Sequence, residues 1–165
     1  MGNNLGKTTT SELVKELAQR LIASGKTIAT AESCTGGNIA HNITLLAGSS
    51  QYFLGGIVSY ANEVKMNVLG VRKEDLEKYG AVSQAVVESM ATGACKTIGS
   101  DYSVATSGVA GPGGGSDEKP VGTVWMAVSD GKKTVSKLWH FDGNREEIIE
   151  KATKTAIFML LEIVC

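Results

Sequence analysis

The chain has 165 residues, 42% of them hydrophobic and 20% charged, with a formal net charge of -1. That is the range of one soluble domain able to bury a sizeable core, and the lack of a basic stripe argues against nucleic acid or a membrane surface as partner. Three scattered cysteines and two histidines, without a C-x-x-C pair, indicate neither a disulfide framework nor a zinc site and fit a reducing compartment.

Taken in order, the first ten residues are polar and lack a signal-peptide pattern, and no run of about 18 apolar residues occurs, so a cytoplasmic chain is expected. Thr9 and Glu12 have capping-box spacing, and Leu13, Leu17 and Leu21 form the apolar stripe of a helix stopped by Gly25. A short strand over 27–31 leads into Glu32-Ser33-Cys34-Thr35-Gly36-Gly37, a polar strand-to-helix turn. The helix after it carries Ile39, Ile43 and Leu46 and should run to about Ala47, where Gly48 closes it.

Residues 52–60 read as a buried strand in which Gly55 and Gly56 hint at a bulge or a close backbone approach. Asn62 is placed to cap the next short helix, with Lys65 one turn in. A charged helix over 73–79 stops at Gly80, and Ser83 caps a longer one that ends at Gly99. A third strand, 102–107, opens into the glycine-rich loop 108–115, and the β-rich runs 121–129 and 134–141 should pair as a hairpin. A last helix begins near Asn144. This order predicts an α/β chain with a mixed, largely parallel sheet covered by helices on both faces. Ser33, Tyr60, Lys65 and the stretch from Thr106 to Gly115 should then meet beyond the carboxyl ends of the parallel strands.

Neither His41, inside a helix pattern, nor His140, on a hairpin strand, is placed to activate a serine. A lysine can replace histidine if burial lowers its pKa, which makes Lys65 the candidate base for Ser33; the bland alternative is a solvated helix lysine. Cys34 competes as a nucleophile but lacks a partner and reads better as a small buried residue. The loop with Gly108, Gly111 and Gly113 could cradle an anion, although neither the dinucleotide nor the Walker fingerprint is present. Arg145 reads either as a local ion pair with Glu146 and Glu147 or as a fork for a phosphate or carboxylate.

Five stretches together, AESCTGG (31–37), SYANEVK (59–65), GAVS (80–83), SGVAGPGGG (107–115) and KPVGTVW (119–125), resemble the C-terminal domain of the competence/damage-inducible protein CinA. The resemblance runs in order over nearly the whole chain, 1–165, as one domain. It implies a three-layer α/β/α sandwich, a homo-oligomer, and an amidohydrolase that turns nicotinamide mononucleotide and water into nicotinate mononucleotide and ammonia without a cofactor or metal. It also implies Ser33 as nucleophile, assisted by Lys65 and Tyr60. Backbone N–H groups of Thr35, Gly36 and Gly37 would then form the oxyanion hole, with the loop of Gly108, Gly111 and Gly113 and Arg145 holding the phosphate end and Thr106 also on the substrate. Larger relatives add an N-terminal molybdopterin-binding-like domain, so only the amidase part is matched. Ile149 stands where the family commonly has a second arginine, which implies fewer anion contacts. Alternatives are a non-catalytic nucleotide- or partner-binding domain and an amidase for another small amide.

Overall fold

A computed structural model describes residues 5–165; the polar opening of the sequence lies partly outside them. The first helix, α1 (Thr10–Ser24), starts at the capping box: the Thr9 hydroxyl accepts from the Glu12 N–H, the Glu12 carboxylate accepts from the Thr9 N–H, and Gly25 ends the helix. Strand β1 (Ile28–Glu32) is wholly buried. Helix α2 (Asn38–Thr44) is shorter than the sequence suggests. The chain leaves it at Leu45 and makes a 3-10 turn over Ser49–Gln51, because Gly48 caps that turn rather than closing α2.

Strand β2 (Phe53–Val58) is half-exposed along its length rather than buried, because the sheet order β2-β1-β3-β4-β5 leaves it at an edge. A bulge does occur: Ile28 pairs with Phe53 and Ala29 with Gly55, so Leu54 is the extra residue. Helix α3 (Asn62–Leu69) begins one residue earlier than a cap at Asn62 would place it. Ala61 is the N-cap, extended at φ -88°, ψ 151°, and no side chain caps the helix. Helices α4 (Lys73–Tyr79) and α5 (Gln84–Ile98) follow, the latter capped by Ser83 and closed by Gly99.

Strand β3 (Tyr102–Gly108) lies beside β1 in parallel, as β2 does on the other side, while β4 (Thr123–Ser129) and β5 (Thr134–His140) form the antiparallel hairpin. The last helix, α6 (Arg145–Ile163), starts at a second capping box made by Asn144 and Glu147. Strand alternation sends Ile28, Val104, Val124 and Met126 to a bulky core under α1, α2 and α6, and Ala29, Ala31, Ala105 and Ala127 to a second core under α5. The small residues on this second face let α5 lie close to the sheet, and the Ser103 hydroxyl reaches the Ala91 carbonyl at 2.6 Å. Helix α3 packs on α5 just as closely: a Cβ on Gly93 would stand 2.0 Å from the Leu69 carbonyl oxygen. That contact seats the helix that carries Lys65.

Candidate active site

Three strand ends meet at one place because the sheet ladder continues one residue past β1 on both sides. The Ser33 N–H donates to the Thr106 carbonyl at 3.0 Å, and the Ser59 N–H donates to the Glu32 carbonyl at 2.8 Å. The nucleophile candidate is thereby fixed between the end of β3 and the end of β2. Helix α3 then turns back and brings Lys65 under the same point.

Lys65 is buried, 1% exposed, and its Nζ lies at hydrogen-bond distance from the Ser59 carbonyl (2.7 Å), the Tyr60 carbonyl (3.3 Å) and Ser33 Oγ (3.1 Å). None of the ion pairs among the described residues involves it. Burial without a carboxylate favours the uncharged amine and lowers the Lys65 pKa from its ordinary 10.5. A neutral amine has two N–H groups and one lone pair. The two carbonyls can only accept, so they take the N–H groups and leave the lone pair for the Ser33 hydroxyl. The solvated-lysine alternative does not describe this side chain.

Cys34, the neighbouring thiol, packs in the core under α1, α2 and α6. Burial pushes its pKa up to about 12, with the Glu32 charge acting in the same direction and a Thr106 hydrogen bond opposing it. It is a thiol, not a thiolate, at neutral pH. Tyr60 is 60% exposed, and its hydroxyl oxygen accepts from Arg145 Nη2 at 3.1 Å. Arg145 also donates through Nη1 to the Gly111 carbonyl at 2.6 Å. Instead of pairing with Glu146 or Glu147, Arg145 ties the start of α6 to the end of β2 and to the glycine-rich loop.

Ser33, Cys34, Tyr60, Arg145 and the loop residues Gly108, Gly111 and Gly113 border one cavity of about 300 Å³. Thr35, Gly36 and Gly37 border a neighbouring cleft of about 500 Å³ with Asn38, Ile149 and Glu150; Arg145 lines both. The Gly36 N–H is engaged by the Ser33 carbonyl at 3.1 Å. The Thr106 side chain is fully buried and points into a hydrogen bond with Thr35 at 2.8 Å rather than into the cavity. Neighbouring residues hold the loop in place: Lys119 Nζ reaches the Tyr79 carbonyl at 2.7 Å and the Ser107 hydroxyl the Ala81 carbonyl at 2.8 Å.

Glu32 was given no role by sequence reasoning, yet its carboxylate is buried and accepts from the Ile39 and Ala40 N–H groups at 2.9 and 3.0 Å. The available signal was an acidic residue ending a strand that is otherwise apolar or small. Among the described residues no group of three His, Cys, Asp or Glu side chains is arranged to hold a metal ion, and no helix is long and apolar enough to cross a membrane.

A family model for the CinA C-terminal domain matches residues 10–164. A CinA-like protein of Syntrophomonas wolfei is 47% identical over 160 residues, covering 97% of this chain but 38% of the relative; the chain thus spans well under half the length of such relatives. The nicotinamide-nucleotide amidohydrolase PncC of Escherichia coli K12 is 48% identical over 147 residues, covering 88% of this chain and 89% of the relative. Among solved structures, the competence damage-inducible protein A (ComA) of Klebsiella pneumoniae superposes with a TM-score of 0.91 at 42% identity, covering 94% of this chain and 97% of the other. The chain belongs to the CinA C-terminal domain family.

Proposed function

We propose that this chain is a nicotinamide-nucleotide amidohydrolase that hydrolyses the carboxamide of nicotinamide mononucleotide to nicotinate mononucleotide and ammonia. The observation that carries the reading is the 3.1 Å contact between Lys65 Nζ and Ser33 Oγ, with the amine's other two contacts made to carbonyls. The name of the 48% identical PncC supplies the substrate class.

In this mechanism neutral Lys65 takes the Ser33 proton as Ser33 Oγ attacks the carboxamide carbon. The resulting lysine ammonium returns that proton to the departing nitrogen, which leaves as ammonia and breaks the C–N bond. Water then attacks the ester carbon, gives a proton to Lys65, and the nicotinate leaves as Ser33 regains its hydrogen. Tyr60 assists: its oxygen is occupied by Arg145, so its own proton is available to the cavity.

We assign oxyanion contacts to the loop of Gly108, Gly111 and Gly113, and the phosphate end to Arg145 with the cleft beside Thr35, Gly36 and Gly37, which exchanges the turn and the loop relative to the sequence expectation. Support for this division comes from the loop bordering the Ser33 cavity, the Gly36 N–H being engaged in its own turn, and the glycine pair opening on the other side of Arg145. Thr106 acts through Thr35 rather than on substrate. The enzyme is read as cytoplasmic and independent of metal, organic cofactor, nucleic acid and membrane. Exposed Leu54 and Val58 on the β2 edge support a homo-oligomer, which light scattering would detect.

An ammonia assay on nicotinamide mononucleotide tests the reading. Wild type should release ammonia in step with nicotinate mononucleotide, and Ser33→Ala should lower the rate by about 10³-fold or more. Substrate binding with no product from wild type would instead favour a non-catalytic binding domain, and hydrolysis of other small amides alone would change the substrate.

A further inference from the structure

We propose that Glu32 is the positioning residue that holds the Ser33 turn in reactive geometry, an inference that rests on Ser33 being the nucleophile. Glu32 is 1% exposed and ends β1. Its Oε1 accepts from the Thr35 hydroxyl at 2.7 Å and the Ile39 N–H at 2.9 Å, and its Oε2 accepts from the Ala40 N–H at 3.0 Å.

Those two amides are the second and third of α2, the pair that an N-cap side chain ordinarily satisfies. In this chain the N-cap is Gly37 at φ 98°, a conformation that side-chain-bearing residues rarely adopt, so the turn has no capping group of its own. A strand residue supplies it instead. The carboxylate therefore joins the end of β1 to the start of α2, with the Ser33 turn clamped between them.

Two further links extend the clamp. Thr35 gives its proton to Glu32, so Thr106 is the donor in the 2.8 Å Thr106–Thr35 bond, and the three side chains form one buried chain of hydrogen bonds. The main chain of the same residue, Glu32, accepts from the Ser59 N–H, and the Ser59 carbonyl holds Lys65. One residue thus touches both the turn that carries the nucleophile and the support of its base. Glu32 does not border the Ser33 cavity, so it acts through position and not by contact with substrate.

Exchange of the carboxylate for a carboxamide tests this. In Glu32→Gln the oxygen can keep Ile39 and Thr35, but the NH₂ group faces the Ala40 N–H, donor against donor, and the turn must shift. Steady-state kinetics on nicotinamide mononucleotide, normalised to the folded fraction from near-UV circular dichroism, should show kcat down about 10²-fold. The loss should fall mainly on kcat and much less on KM, because Arg145 is held by Gly111 and Tyr60 and does not depend on the turn. Thr106→Val, which removes one hydroxyl and no charge, should lower kcat about tenfold by the same route. Leu160→Ala, a core truncation away from the turn, should keep wild-type kcat per folded molecule.

Unchanged kcat in both Glu32→Gln and Thr106→Val overturns the proposal, and so does an equal loss in Leu160→Ala. If Glu32→Gln does not fold, Thr106→Val decides on the same criterion. Ser33→Ala is measured alongside: if it is inactive, the Glu32 and Thr106 variants decide, whereas full turnover removes the nucleophile and overturns both readings.

Discussion

The two ends of β1 use the same device in opposite settings. At its start the Asp101 carboxylate accepts from the Thr27 N–H at 2.9 Å and from the Thr27 hydroxyl at 3.0 Å, and it pairs with Lys26 at 3.1 Å, with both charged side chains well exposed. At its end the Glu32 carboxylate also accepts from backbone N–H groups, and a lysine again stands nearby, but both are buried and do not pair. Lys26 has a carboxylate and water; Lys65 has two carbonyls and a serine hydroxyl. On the proposed mechanism, what would fit Lys65 and not Lys26 to act as a base is the carboxylate partner withheld from it.

The sharpest way to break that contrast is to restore a permanent charge at the buried end. Lys65→Arg cannot lose its proton at working pH, so kcat should fall by about 10³-fold or more while the protein still binds substrate. In wild type, kcat should rise with pH as Lys65 loses its proton, since only the neutral amine acts as base. The midpoint should lie below 10.5, because burial favours the uncharged form. A profile with its midpoint at or above the free-lysine value would mean that the site does not tune this amine.

A smaller effect is expected one residue from the proposed nucleophile. Cys34 is a protonated core thiol with a pKa of about 12, so Cys34→Ala should keep kcat within about threefold and lower stability by about 1 kcal/mol through the small cavity left. Urea titration and the ammonia assay together read this out. A loss of activity as large as that of Ser33→Ala would transfer the nucleophile to sulfur.

The smallest effect belongs to the exposed end. Hydrogen bonds from Thr27 hold the Asp101 carboxyl below its ordinary 3.8, so its contribution to stability is present above that value and is lost as pH falls through the lower, folded-state pKa. Solvent screens the pair, and Asp101→Asn should change stability at neutral pH by about 0.5 kcal/mol and leave kcat unaltered. Thermal melts at pH 7 and pH 3 measure it.

Caps and periodicity made most of the elements legible in the sequence. Thr9 with Glu12, Ser83 and Asn144 mark real helix starts, and Gly25 and Gly99 mark real stops. These signals are local. Strand order is not: nothing within 52–60 says that this run becomes a half-exposed edge, because that depends on which strands pair beside it. The same limit applies to the site. Ser33 and Lys65 were recognisable as a pair, but the burial of Lys65 depends on α3 folding back against α5, where Gly93 meets Leu69. From sequence, the turn glycines are expected at the oxyanion hole and the loop glycines at the phosphate; in the proposed mechanism they exchange, because the loop and Ser33 border one cavity and the turn borders another, a placement that depends on how the chain folds. Glu32 escaped notice because capping rules look within a helix's own first turn, and this cap comes from the preceding strand.

On the proposed mechanism Ser33, with Lys65 as its base, carries the acyl group between amide and water. Rapid quenching of wild-type protein turning over nicotinamide mononucleotide, followed by intact mass and peptide mapping, tests it directly. A transient nicotinoyl-nucleotide ester on Ser33, absent in Ser33→Ala along with ammonia release, is the predicted result. An adduct on Cys34, or undiminished turnover in Ser33→Ala, would contradict the account.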